Sequence, residues 1–181
     1  MKKLNNMKNI LFTLALLIPV VSFGEQTKSD KKNQILKPSI QIPEGYTSME
    51  TIGTKELYFL QKNLEDNSYV TFSIDFIDDD VFSLISNEAY VNNAISEEGV
   101  SNWVDLMEES DNHRQSIKYT FNSVGTTLMR QGSNNTIDEP VLYTIFQFVR
   151  NGKLFTCAGR SVNTDKEYFD DYVDIMESMK F

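Results

Sequence analysis

The stretch "DFIDDDVF" packs the carboxylates Asp75, Asp78, Asp79 and Asp80 into one short segment. Hard oxygen donors at that density suit Ca²⁺, which makes these four residues the candidate ligands of a weak divalent-cation or small-ligand site. Two features weigh against a resident metal. The alternating acidic spacing of a helix-loop-helix calcium loop is missing, and no glycine supplies its sharp turn. Carboxylates at a strand end also act as a solvated edge that discourages sheet-to-sheet pairing. Nothing in the pattern sets two of them at a glycosidase separation beside a sugar groove.

The rest of the catalytic inventory is thin. His113, the only histidine, sits in "ESDNHRQS" near Asp111 and reads as a loop residue between a helix and a strand. A Ser-His-Asp or Cys-His arrangement would have one possible base and no recognisable nucleophile turn. One His and one Cys leave only carboxylates to complete a four-ligand zinc site. The 8 glycines are scattered at turns, so no phosphate-binding loop is present. Cys157, in "KLFTCAG", cannot form an internal disulfide; it alternates with Phe155 onto one strand face, where a buried thiol packs as a small hydrophobe. The chain reads as non-enzymatic, with no catalytic residues, no metal and no cofactor.

A second acidic group lies on the closing segment "EYFDDYVDIMESMKF". At about 100° per residue, Tyr168, Phe169, Tyr172, Ile175, Met176 and Met179 share one helical arc and Glu167, Asp170, Asp174 and Glu177 the opposite one. No base stands at i+4 from Glu167, Asp170 or Asp174 to relieve the like-charge repulsion. These four carboxylates are the candidate partner-binding face, and their charge fits a basic protein.

Those residues must be held by a small set of elements. "SIQIPEGY" reads as a short opening strand ending in a turn, "ELYFL" (56–60) and "YVTFSIDF" (69–76) as the next two strands. In the latter, Val70, Phe72, Ile74 and Phe76 face one way and Thr71, Ser73 and Asp75 the other, the mark of an antiparallel sheet buried on one side. "ISEEGVSNWVDLMEES" switches period: Val100, Trp103, Val104 and Met107 make a helical stripe, with Ser96 as cap. "SIKYTF" (116–121) and "GTTLMR" (125–130) form a hairpin leading into "QGSNNTIDEP", a loop by composition. Val141 to Val149 and Lys153 to Ala158 flank Asn151-Gly152, the favoured pair of a type I′ turn. Thr164-Asp165-Lys166-Glu167 reads as a capping box opening the last helix. The expected fold is α+β, an α/β/α sandwich with a central antiparallel sheet and a C-terminal amphipathic helix.

Lys2, Lys3 and Lys8, the apolar run Ile10 to Val21 and the small residues Ser22-Phe23-Gly24 have the form of a secretory signal cut before Glu25. The run is short of the roughly 20 residues that span a bilayer, so no stable membrane anchor is expected after cleavage. Residues 25–37 are polar and aperiodic, a flexible leader; residues 38–181 fit a single globular domain. From Pro38 onward there are 24 Asp and Glu against 10 Lys and Arg, a net charge of −14. Such a surface repels nucleic acid and anionic lipid.

The layout resembles the PsbP and DcrB-like superfamily, which includes a nuclear import factor that binds the Ran GTPase. The residues that carry the resemblance are "IQIPEGY", a helix in the first half, an aromatic strand running through "NGK" into "LFTCAG", and the closing "EYFDDYVDIMESMKF". It covers residues 38–181. The resemblance implies an α/β/α sandwich and a non-enzymatic accessory, chaperone or binding role, with no catalytic residues to carry over. The chain is accordingly expected to be a periplasmic or secreted protein of the bacterial envelope acting through contacts with a protein partner. The alternatives are an immunity or inhibitor protein that neutralises a basic toxin or hydrolase, and a weak small-ligand or Ca²⁺ binder.

Overall fold

The computed structural model describes residues 37–50, 56–135 and 139–181. The expected signal segment and leader lie outside the described residues, Lys37 excepted. Within Pro38–Lys180, the described strands are β1 (Thr47–Met49), β2 (Glu56–Asn63), β3 (Tyr69–Asp78), β4 (Asp111–Phe121), β5 (Gly125–Asn134), β6 (Val141–Arg150) and β7 (Lys153–Val162). They form one antiparallel sheet in the order β1-β2-β3-β7-β6-β5-β4. The helices are α1 (Asn87–Ala94), α2 (Glu97–Val104) and α3 (Phe169–Ser178), with a 3₁₀ turn at Asp80–Ser83.

The chain path explains which faces are covered. After β3 it crosses the sheet through the 3₁₀ turn, α1 and α2 to the far edge, then meanders back through β4, β5, β6 and β7 to pair with β3. Face B, under the crossing, carries α1 over β4–β6; Asn87 pins the start of α1 by donating to the Thr126 carbonyl at 2.7 Å and accepting from the Val149 amide at 2.8 Å. Face A carries α3. Its Phe169 meets Phe146 and Tyr119, and its Tyr172 meets Phe72 with ring centroids 5.7 Å apart. The expected α+β class, with helices on both faces of an antiparallel sheet and a C-terminal amphipathic helix, holds.

β7 is the central strand, and its residues are buried except Arg160. That is why the 141–158 region is so apolar: a strand covered on both faces has no solvent side to make polar. Asn151 and Gly152 take φ of 51° and 72°, as a type I′ hairpin requires. Gly159 has a different task. A Cβ there would lie 2.4 Å from the Tyr172 ring, so the missing side chain is the seat into which α3 docks.

Several sequence expectations fail locally. Residues 40–42 form no strand; Ser39 makes an isolated bridge with Lys180, and β1 starts at Thr47, after the Pro43–Tyr46 turn. The helix at Ser96 is capped as expected, its Oγ accepting from the Gly99 amide, but it stops at Val104, which is 44% exposed. α1 went unseen because "NEAYVNNA" combines weak helix formers with little amphipathic contrast. The Thr164–Glu167 capping box does not form: α3 starts at Phe169 with Tyr168 at the cap position and no side-chain cap, because Glu167 is drawn to Arg114 instead. β5 runs on to Asn134 and absorbs the first part of "QGSNNTIDEP".

Candidate functional site

The four carboxylates of "DFIDDDVF" do not converge. Asp78 pairs with Lys153 at 2.6 Å, Asp79 caps the 3₁₀ turn by accepting from the Val81 amide, and Asp80 is exposed in that turn's first residue. Asp75 stands apart on face B. Among the described residues no three His, Cys, Asp or Glu side chains come together as a metal site would need.

The expected acidic arc divides, and Glu167 lies before α3 begins. Glu167 forms an ion pair with Arg114 of β4, and Glu177 accepts from the amides of Asn122 and Ser123 and so fastens the β4–β5 turn to the helix. Asp171, beside them, accepts from Tyr46 Oη at 3.1 Å and from Lys62 Nζ at 3.2 Å. Asp170 and Asp174 remain as exposed carboxylates facing outward. Long-range partners engage Glu167 and Glu177, and no i+4 rule can show them.

His113 is a strand residue, not a loop one: it pairs with Gly132 in β4, and its Nε2 lies 3.0 Å from Ser116 Oγ. Burial lowers its pKa from the ordinary histidine value. Cys157 lies fully buried on face A, as its alternation with Phe155 implied, and burial pushes its thiol far above the usual range. The native protein should therefore leave Cys157 untouched by a thiol reagent and react once unfolded; labelling at native rates would contradict this packing.

What the sheet does bring together is a polar row on face B that runs across the strands. Register places Gln147 of β6 opposite Thr156 of β7, Thr156 opposite Asp75 of β3, and Asp75 opposite Glu56 of β2. At its covered end, Gln147 Oε1 accepts from Tyr90 Oη at 3.1 Å and from Arg130 Nη1 at 3.2 Å, while its Nε2 donates to Thr156 Oγ1 at 3.2 Å. At its open end the two carboxylates stand side by side. Burial, then the Glu56 charge, raise the Asp75 pKa to about 6, offset in part by Ser73 and Arg160; burial also raises Glu56.

Among the described helices none packs on face B over β2 and β3. Phe59, Ser73, Asp75 and Ile77 are half-buried there, next to the exposed Arg160 of β7. The result is a strip of aromatic, hydroxyl and carboxylate groups on a rigid sheet. A cavity of about 10 Å³, room for one water, lies elsewhere, between Arg114, Thr144, Ser161, Glu167 and Tyr172. The outward alternation of Thr71, Ser73 and Asp75 is visible in sequence, but only register supplies the Glu56 partner. The sequence signal for Arg130 is that an arginine shares the inward alternation of Leu128 in "GTTLMR".

No family model and no curated protein matches the chain. Among solved structures, the crystal structure of LpqN, involved in cell envelope biogenesis of Mycobacterium tuberculosis, is similar at a TM-score of 0.48 and 11% identity, over 79% of this chain and 82% of that one.

Proposed function

We propose that the chain is an exported, non-enzymatic accessory protein of the bacterial envelope that works by binding another protein. The observation that supports this reading is the half of face B that the described helices leave uncovered. There Phe59, Ser73, Asp75 and Arg160 offer a mixed apolar and polar surface on rigid strands, the composition of a protein interface more than of a small-molecule pocket. Export rests on the basic, apolar and small residues at the start of the sequence. Among the described residues no helix is long and apolar enough to cross a membrane.

A second reading, an inhibitor of a basic toxin or hydrolase, is favoured by one feature: Asp170 and Asp174 stand exposed one helical turn apart, and neither is in an ion pair among the described residues. Site-specific photo-crosslinking in the native envelope separates the two. A crosslinker at Ser73 should trap one discrete partner, and the same partner should be lost with Arg160→Glu. Adducts from position 170 or 174 alone, abolished by an Asp170→Lys/Asp174→Lys pair, would replace the first reading with the second. Glu177 is left alone in this test because it holds the β4–β5 turn.

A further inference from the structure

Arg130 is the largest fully buried side chain among the described residues, 2% exposed, and no carboxylate of those residues pairs with it. A guanidinium stays protonated at any physiological pH, and burying one without a counter-charge costs several kcal/mol. Its Nη1 is taken by Gln147, which Tyr90 and Thr156 hold in place. Its flat face is taken by Trp103, whose ring centroid lies 4.1 Å from Cζ. Of the remaining guanidinium nitrogens, Nε is buried with no acceptor among the described residues. Trp103 Nε1 is a second buried donor with no acceptor among them. Two buried N–H groups on neighbouring side chains, one of them charged, can take an oxygen acceptor from outside the chain.

We propose that the Nε–Nη2 edge of Arg130, with the N–H of the Trp103 ring it lies over, is a binding site for a small carboxylate. The fork geometry of that edge matches the two oxygens of a carboxylate, and a guanidinium already fixed at Nη1 and stacked on indole loses little freedom on binding. Of the eight residues of α2 only Gly99, seated closely against the end of α1, and Trp103 are buried.

The single tryptophan makes the test direct. In a ¹⁵N-labelled sample the one indole N–H signal belongs to Trp103, and the Arg130 Nε–H signal is identified by its loss in Arg130→Lys. Replacing sodium chloride with sodium acetate at constant ionic strength should move both signals along a saturating curve with one midpoint. Arg130→Lys, which keeps the charge and loses the fork, should weaken the acetate response of the indole by roughly tenfold. Signals that stay put or drift linearly in the wild-type protein would overturn the site, whether or not the variant folds. A midpoint unchanged in Arg130→Lys would overturn the role of the fork. Saturation by phosphate with no response to acetate would overturn the carboxylate assignment.

Discussion

Gly159→Ala should cost roughly 3 kcal/mol and lower the thermal midpoint by about 10 °C, although alanine is a better strand residue than glycine. Gly159 carries no positive φ, so its backbone would accept a side chain. The objection is spatial. The added methyl would meet three carbons of the Tyr172 ring at 2.4–2.5 Å, on a strand that cannot move because β3 and β6 flank it. Tyr172 cannot move either: its ring packs at a tilt against Phe72 and its hydroxyl lies 3.2 Å from Ser161 Oγ. Either α3 lifts from face A, exposing Ile175 and Met176, or the strand distorts. A double-mutant cycle decides the cause. Tyr172→Ala alone should destabilise by about 3 kcal/mol or more by emptying the site, yet in that background Gly159→Ala should cost close to nothing, because its methyl then fills part of the gap. Denaturant unfolding of the four proteins measures this. Additive costs would show that Gly159 is kept for some reason other than the ring.

That seat shows where sequence could guide the fold and where it could not. The Asn151-Gly152 hairpin, the one-sided β3 and the amphipathic α3 were readable because each follows from a local rule: a turn conformation, a period of two, a period of 3.6. The Ser96 cap belongs to the same class. The features that failed depend on residues far apart in sequence. Glu167 abandons a capping box for Arg114, and Glu177 leaves a solvated arc for the Asn122–Ser123 amides, because each finds a partner over 50 residues away. His113 was read as a loop residue from its polar neighbours, whereas an edge strand such as β4 keeps polar residues on its exposed positions. The two acids of the candidate surface, Glu56 and Asp75, come from separate strands and become one feature only when β2 pairs with β3. Density marks Asp75, Asp78, Asp79 and Asp80 alike; only pairing and burial set Asp75 apart.

Asp75→Asn should stabilise the protein at pH 7.5 by about 2 kcal/mol and leave it little changed at pH 4.5. In the unfolded chain Asp75 titrates near the ordinary value of about 3.9; in the fold burial and Glu56 raise it to about 6. At pH 7.5 both forms are ionised, and the fold carries the full penalty of holding that charge. As the pH falls through 6 the folded form takes up a proton while the unfolded form does not, so stability gained from this group grows until about pH 4 and then levels. His113, its pKa lowered in the fold, acts in the opposite sense, losing stability as acid protonates the unfolded chain first. The difference between wild type and Asp75→Asn at each pH cancels His113 and isolates the carboxylate. Glu56→Gln should remove only part of the effect, since burial is the larger cause and the neighbouring charge the second. Unfolding free energies measured from pH 4.5 to 7.5 give the curve; a difference that stays flat across that range would mean Asp75 is ionised in water, outside the polar row. If the slope is present, the row across face B has a protonation state of its own near pH 6, and any protein that docks on β2 and β3 with a basic group at Asp75 should release as the pH drops below that point.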